Sequence, residues 1–225
     1  MIIRDLVQVA GVASLEEGRM LLDCKVDLLG FPLRLPVHAP DTSEDQARLI
    51  IKELGPAACV LITYENDPDR LVDLCRFLNV GTVQIHSDIS PSALVRIKDQ
   101  VPLRIFKSYV VGRESLEPRL FVRDYAPVCD AFITDTFDPA TGASGATGLV
   151  HDWRVSAELV RRSPCPVILA GGLNPANVRQ AVKSVRPAAV DVHTGVENSA
   201  GAKDPELVRA FVRQARAGFA EAAQS

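Results

Sequence analysis

The sequence predicts a single (β/α)8 barrel of the TIM-barrel class spanning residues 1–225. Three observations carry this. Eight short apolar runs alternate with longer amphipathic stretches, the pattern of parallel strands joined by right-handed helical crossovers. A chain of 225 residues suits eight such units with short connections, and no linker-like or low-complexity segment divides it. Apolar residues make up 47% but aromatics only 5%, so the core is aliphatic, as suits short parallel strands covered on both faces. An open doubly wound sheet is the alternative arrangement of the same units.

The units follow in order. The first strand is expected at Leu6–Ala10, with helical spacing over Leu15–Leu22. The second, Asp27–Phe31, precedes Asp41-Thr42-Ser43-Glu44-Asp45, which offers caps and first-turn acids to a helix over Ser43–Leu54. The third, Ala57–Ile62, leads to Asn66-Asp67-Pro68, a cap before a first-turn proline, and a helix over Pro68–Leu78. The fourth, Thr82–Ile85, repeats that device at Ser90-Pro91 ahead of Pro91–Lys98. The fifth, Leu103–Lys107, runs into Ser108-Tyr109-Val110-Val111-Gly112-Arg113-Glu114-Ser115, where the helical pattern is blurred as far as Phe121. The sixth, Ala131–Thr134, is separated from a helix over Trp153–Arg162 by a glycine-rich loop. The seventh, Val167–Ala170, meets Asn174-Pro175, a cap-and-proline start for Asn174–Val185. The eighth, Ala188–Val192, precedes a helix over Pro205–Ala220.

Charge and cysteine content exclude several classes. The net charge is −3 with no basic stripe, which disfavours a nucleic-acid partner. A bound phosphate must therefore be held by a local device rather than a general field. The five cysteines, Cys24, Cys59, Cys75, Cys129 and Cys165, lack paired spacing, which argues against disulfides or zinc and for buried thiols in a reducing compartment. Arg4 and Asp5 break the N-terminal apolar run, and no stretch approaches about 20 apolar residues. A cytoplasmic protein with no membrane partner, acting as a monomer or homodimer, is expected.

In barrels of this kind the loops after the strands build the working face. After the seventh strand comes Ala170-Gly171-Gly172-Leu173-Asn174-Pro175, and after the eighth Asp191-Val192-His193-Thr194-Gly195-Val196-Glu197. Glycines there let backbone amides approach an anion, and the loops after strands seven and eight are the common phosphate site of barrels. After the sixth strand, Asp135 stands where a carboxylate points into the pocket, followed by Gly142-Ala143-Ser144-Gly145-Ala146-Thr147-Gly148, a loop able to close over a ligand. Asp191 is expected to brace the phosphate turn, with a catalytic role as the other reading.

These segments resemble phosphoribosylanthranilate isomerases. The resemblance rests on Leu169-Ala170-Gly171-Gly172-Leu173-Asn174-Pro175-Ala176-Asn177-Val178, on Val190 through Glu197 with Gly201-Ala202-Lys203-Asp204, on Gly145-Ala146-Thr147-Gly148 with Asp152-Trp153, and on Val83-Gln84-Ile85-His86. It implies an Amadori rearrangement of an N-linked ribose 5-phosphate, needing no metal or cofactor. A general acid opens the furanose ring and a general base removes the C2 proton. By position Asp135 resembles the acid. Gly171, Gly172, Asn174, Asp191, Thr194, Gly195, Thr147, Gly148 and Gln84 resemble the substrate-binding set. His86, although part of the fourth-strand motif, has a purely structural reading.

The chain also departs from that pattern. Where the family's first strand ends Lys-Ile-Cys-Gly, with the cysteine as base, this chain has Gln8-Val9-Ala10-Gly11, and a methyl group cannot take a proton. The basic run after the second strand is replaced by Pro32-Leu33-Arg34-Leu35-Pro36-Val37-His38-Ala39-Pro40, out of the family's register, leaving Arg34 or His38 as substitute carboxylate ligands, with a solvated loop residue as the other reading of Arg34. His193 stands where the family has a small hydroxyl residue, and is read as a relocated base, a phosphate contact or a non-catalytic polar residue. The expectation is thus an isomerase of this type, with the same or an altered substrate. A phosphosugar lyase or hydrolase, or a non-catalytic sugar-phosphate binder, are the alternatives.

Overall fold

The structure, a computed structural model, describes residues 2–36, 39–112, 117–136 and 151–224. The strands are β1 (Leu6–Ala10), β2 (Leu28–Leu33), β3 (Cys59–Thr63), β4 (Thr82–Ile85), β5 (Arg104–Val111), β6 (Ala131–Thr136), β7 (Val167–Leu169) and β8 (Ala189–Val192). The helices are α1 (Leu15–Asp23), α2 (Glu44–Leu54), α3 (Pro68–Leu78), α4 (Pro91–Gln100), α5 (Pro118–Tyr125), α6 (Trp153–Arg162), α7 (Val178–Val185) and α8 (Pro205–Ala222). The strands form a closed parallel barrel in sequence order. Closure is made by β1 on β8, with Gln8 opposite Asp191 and Val9 opposite Val192, which rules out the open sheet.

Helix starts form for the reasons the sequence suggests. Ser43 accepts a hydrogen bond from the Gln46 amide, Asp67 from Asp69 and Arg70, and Ser90 from Ala93. Several boundaries differ from expectation, most of them by one or two residues, and three places differ more. β5 runs on to Val111, because Phe106, Ser108 and Val110 alternate with Lys107, Tyr109 and Val111 and every one of them is buried, which erases the in–out signal. The blurred segment ends in a short α5 begun by Pro118. α7 starts at Val178 rather than Asn174, because the Asn174 side chain accepts from the Ala176 amide and that of Asn177 accepts from the Asn174 amide. Those bonds close a turn in place of the first helical turn.

Strand alternation sends one set of side chains outward under the helices, around Val9, Phe31, Leu61, Ile105, Phe132 and Val190. The other set fills the barrel, with Leu28, Val60, Phe106, Ile133, Ile168 and Ala189 among them. Alternate strands contribute to successive layers, so the register fixes their order. Gly30, Gln84, Ile133 and Asp191 share one layer. Ala10, Ile62, Ser108 and Ala170 lie above it. Pro32, His86, Asp135 and His193 form the mouth at the strands' C-terminal ends.

Candidate active site

A polar seam runs through this otherwise aliphatic barrel. Gln8 Nε2 donates to Gln84 Oε1 at 2.9 Å, and Gln84 Nε2 lies 2.8 Å from His86 Nε2. His86 Nδ1 faces Asp135 Oδ2 at 3.3 Å. Asp135 Oδ1 also accepts from the Thr136 amide at 2.8 Å, which fixes the carboxylate at the tip of β6. Asp191 is buried beside Gln8, whose side chain hydrogen-bonds it. Burial, and after it the charge of Asp135, push the Asp191 carboxyl up to about 7, against the pull of Gln8 and Lys203. Asp191 thus faces into the barrel.

The turn after β7 and the turn after β8 interlock. A Cβ on Gly195 would lie 1.9 Å from the Leu173 carbonyl oxygen, so only glycine lets the two backbones touch. Gly171 has φ +95°, and its Cα packs on the Thr136 hydroxyl and His151. His151 is held there by Thr136 Oγ1 at 3.0 Å and by buried Ser156 at 2.6 Å. Desolvation lowers its pKa, which favours the neutral imidazole. Thr194–Val196 forms a 3-10 turn, and Lys203 Nζ ties it down by donating to the His193 carbonyl at 3.2 Å and to Glu197 at 2.5 Å. Gly171, Gly172, Asn174, Thr194 and Gly195 therefore stand together on one side of the mouth.

Other expected site residues fall out differently. His193 is at the mouth, its ring against Gly11 and its Nε2 3.5 Å from Glu197 and 3.9 Å from Asp41. Arg34 sits just past β2 with its guanidinium held by Glu44 at 2.8 Å and Glu65 at 3.1 Å. Gln84 lies inside the barrel, two layers below Asp135. Thr147 and Gly148, the glycine-rich segment around them, and His38 lie outside the described residues. His151 and the inward pair Gln8 and Gln84 are not singled out together by any motif. The available signal was parity: Gln8 and Gln84 are polar residues at inward positions of apolar strands. Among the described residues no cluster of potential metal ligands occurs, and no helix is long and apolar enough to cross a membrane.

The sequence profile of the family described as N-(5'-phosphoribosyl)anthranilate (PRA) isomerase matches residues 9–214. The chain belongs to this family. A relative named N-(5'-phosphoribosyl)anthranilate isomerase from Methanocella arvoryzae is 37% identical over 212 residues, covering 93% of this chain and 97% of its own. The structure of the enzyme of that name from Pyrococcus furiosus superposes with a TM-score of 0.76 at 29% identity, covering 94% of this chain and 98% of its own. A phosphoribosyl anthranilate isomerase in complex with reduced 1-(o-carboxyphenylamino)-1-deoxyribulose 5-phosphate superposes with a TM-score of 0.74 at 25% identity, covering 94% and 98%. The resemblance of the motifs thus extends over nearly the whole length.

Proposed function

We propose that this protein isomerises an N-linked ribose 5-phosphate of the phosphoribosylanthranilate type by an Amadori rearrangement. The observation that carries the reading is the position of Asp135 at the mouth of the barrel on β6, one strand from the turn at Gly171-Gly172 and two from the interlocked turn at Thr194-Gly195. The phosphate docks on those turns, with Asn174 fixing the first of them. Asp135 protonates the furanose oxygen, and C1–O cleavage leaves an iminium ion. Removal of the C2 proton gives an enolamine, which becomes the ketose. Family membership favours isomerisation over a lyase or hydrolase on the same scaffold, and the closing loop with Thr147 and Gly148 is assigned to covering the ligand.

The base comes from β8 or its end, where Asp191 and His193 both stand near Ala10. Arg34, already paired with two carboxylates, acts on an aglycone carboxylate only by exchanging one of them. Incubation of the purified protein with phosphoribosylanthranilate tests the reading directly: the expected product has unchanged mass and a ketose carbonyl. Asp135→Asn should lower kcat by about 10²–10⁴-fold. Full activity in that variant would remove Asp135 from the acid role.

A further inference from the structure

Ala10 carries no titratable group, yet the C2 proton of the substrate must go to one. This inference rests on the isomerase reading above. The surroundings of Asp191 on β8 and of His193 just past its end separate them. His193 Nε2 stands within 3.5 Å of Glu197 and 3.9 Å of Asp41. That nitrogen is thus engaged by carboxylates at the rim of the mouth. The ring also lies beside the Thr194-Gly195 turn, where a donor suits a phosphate oxygen.

Asp191 has the opposite character. Its Oδ1 is fully buried and has no hydrogen-bond partner among the described residues, and the same holds for the Oε1 of neighbouring Gln8. Two acceptors without donors in a barrel interior call for a donor, and a proton held on Asp191 supplies one. In the layer above, the strands that flank β8 present only the methyl groups of Ala10 and Ala170. The short side chain at position 10 thus leaves Asp191, 8% exposed, as the carboxylate beneath the mouth.

We propose that Asp191 is the general base of this enzyme, taking the C2 proton past the methyl groups of Ala10 and Ala170. The C2–H bond breaks and its electron pair forms the C1=C2 double bond, neutralising the iminium nitrogen, while the proton passes to Asp191 Oδ1. Protonation at C1 and loss of the C2 hydroxyl proton then complete the ketone, so no redox partner is needed. Asp135 on β6 and Lys203 ahead of α8 are the charged groups that act on Asp191, the first raising and the second lowering its proton affinity. His193, just past the end of the same strand, stands at the mouth above it. A carboxylate that titrates near neutrality matches the demands of C–H proton abstraction.

The test uses the full chain with phosphoribosylanthranilate and with the same substrate deuterated at C2. Asp191→Asn is expected to lower kcat by about 10²–10⁴-fold while KM moves by less than about threefold. Asp191→Glu should retain part of the activity and show a larger deuterium isotope effect, because a displaced base makes proton transfer limiting. His193→Asn should keep more than a tenth of kcat and raise KM. Retention of more than a tenth of kcat in Asp191→Asn overturns the proposal, as does an isotope effect unchanged in Asp191→Glu. Turnover that survives Asp191→Asn leaves the isomerase reading standing, whereas absence of wild-type turnover removes both.

Discussion

At the scale of single residues, Asp191 ties reactivity to stability. Its folded pKa of about 7 lies above the ordinary value of 3.8. Between those two pH values the folded chain holds a proton that the unfolded chain has lost, so stability falls as pH rises through that window and levels off above it. Asp191→Asn removes the effect. The variant should match the wild type near pH 4 and exceed it near pH 8 by on the order of 2–4 kcal/mol. Chemical denaturation at the two pH values checks this, and a variant less stable at pH 8 would refute it. The cysteines behave otherwise. Burial pushes the thiols of Cys59, Cys75 and Cys129 up to about 12, and raises Cys24 and Cys165 as well. A disulfide reagent at pH 8 should therefore label the native protein slowly, half-buried Cys165 first, and all five cysteines after unfolding. Rapid labelling at Cys59 would contradict the packing around β3. Residue roles were only partly legible in the sequence. Asp135 and the paired glycines declare themselves by place and type, because an acid or a Gly-Gly after a strand has few other uses in a barrel. The partnership of Gln8, Gln84 and His86 was not legible, since it joins β1 to β4 across the interior through a register that no local pattern encodes.

At the scale of elements, the interlock of the turns after β7 and β8 makes a specific demand. Gly195→Ala would drive a methyl group into the Leu173 carbonyl, a contact relieved only by moving backbone. The expected result is a rise of about tenfold or more in KM for the sugar phosphate, with less change in kcat, since the phosphate anchors remotely from the bond-breaking. Inorganic phosphate inhibition should weaken in parallel, and unchanged inhibition would show that the phosphate sits elsewhere. Element types followed from the sequence wherever burial is one-sided. α2, α3 and α4 carry caps and amphipathic spacing, and all three formed over nearly the expected residues. The unit around β5 and α5 was illegible because both faces of β5 are covered. The start of α7 was misread because Asn174-Pro175 is equally good chemistry for a turn closed by asparagine side chains.

At the scale of the whole molecule, α8 is the element that seals the barrel. It packs chiefly on α7, and its Phe211, Val208 and Ala215 are fully buried. Arg216 reaches from it to Asp27, which also accepts from the Val7 amide at 2.7 Å. Helix, first strand and the start of the second are thereby joined at the foot of the barrel. Phe211→Ala should cost about 3–5 kcal/mol. In a chain of this length that lowers Tm by roughly 10 °C or more. The transition should stay single by near- and far-ultraviolet dichroism alike, because a closed sheet has no edge from which to fray. Two separated transitions would show that the halves unfold independently. The closed topology was readable from eight repeated units in so short a chain; the closing register was not, since it pairs residues nearly the full length of the chain apart.

The contact between Gly195 and the Leu173 carbonyl also bears on how such a protein can change over evolutionary time. Two consecutive βα units share one anion cradle, and neither half has the right shape without the other. They form a unit of inheritance: recombination with another barrel preserves the cradle when the breakpoint falls outside both units and destroys it when it falls between them. The side chain at position 10 is not part of that cradle. A lineage can therefore exchange the residue at position 10 and shift proton transfer to a neighbouring strand while its grip on the sugar phosphate stays as it was.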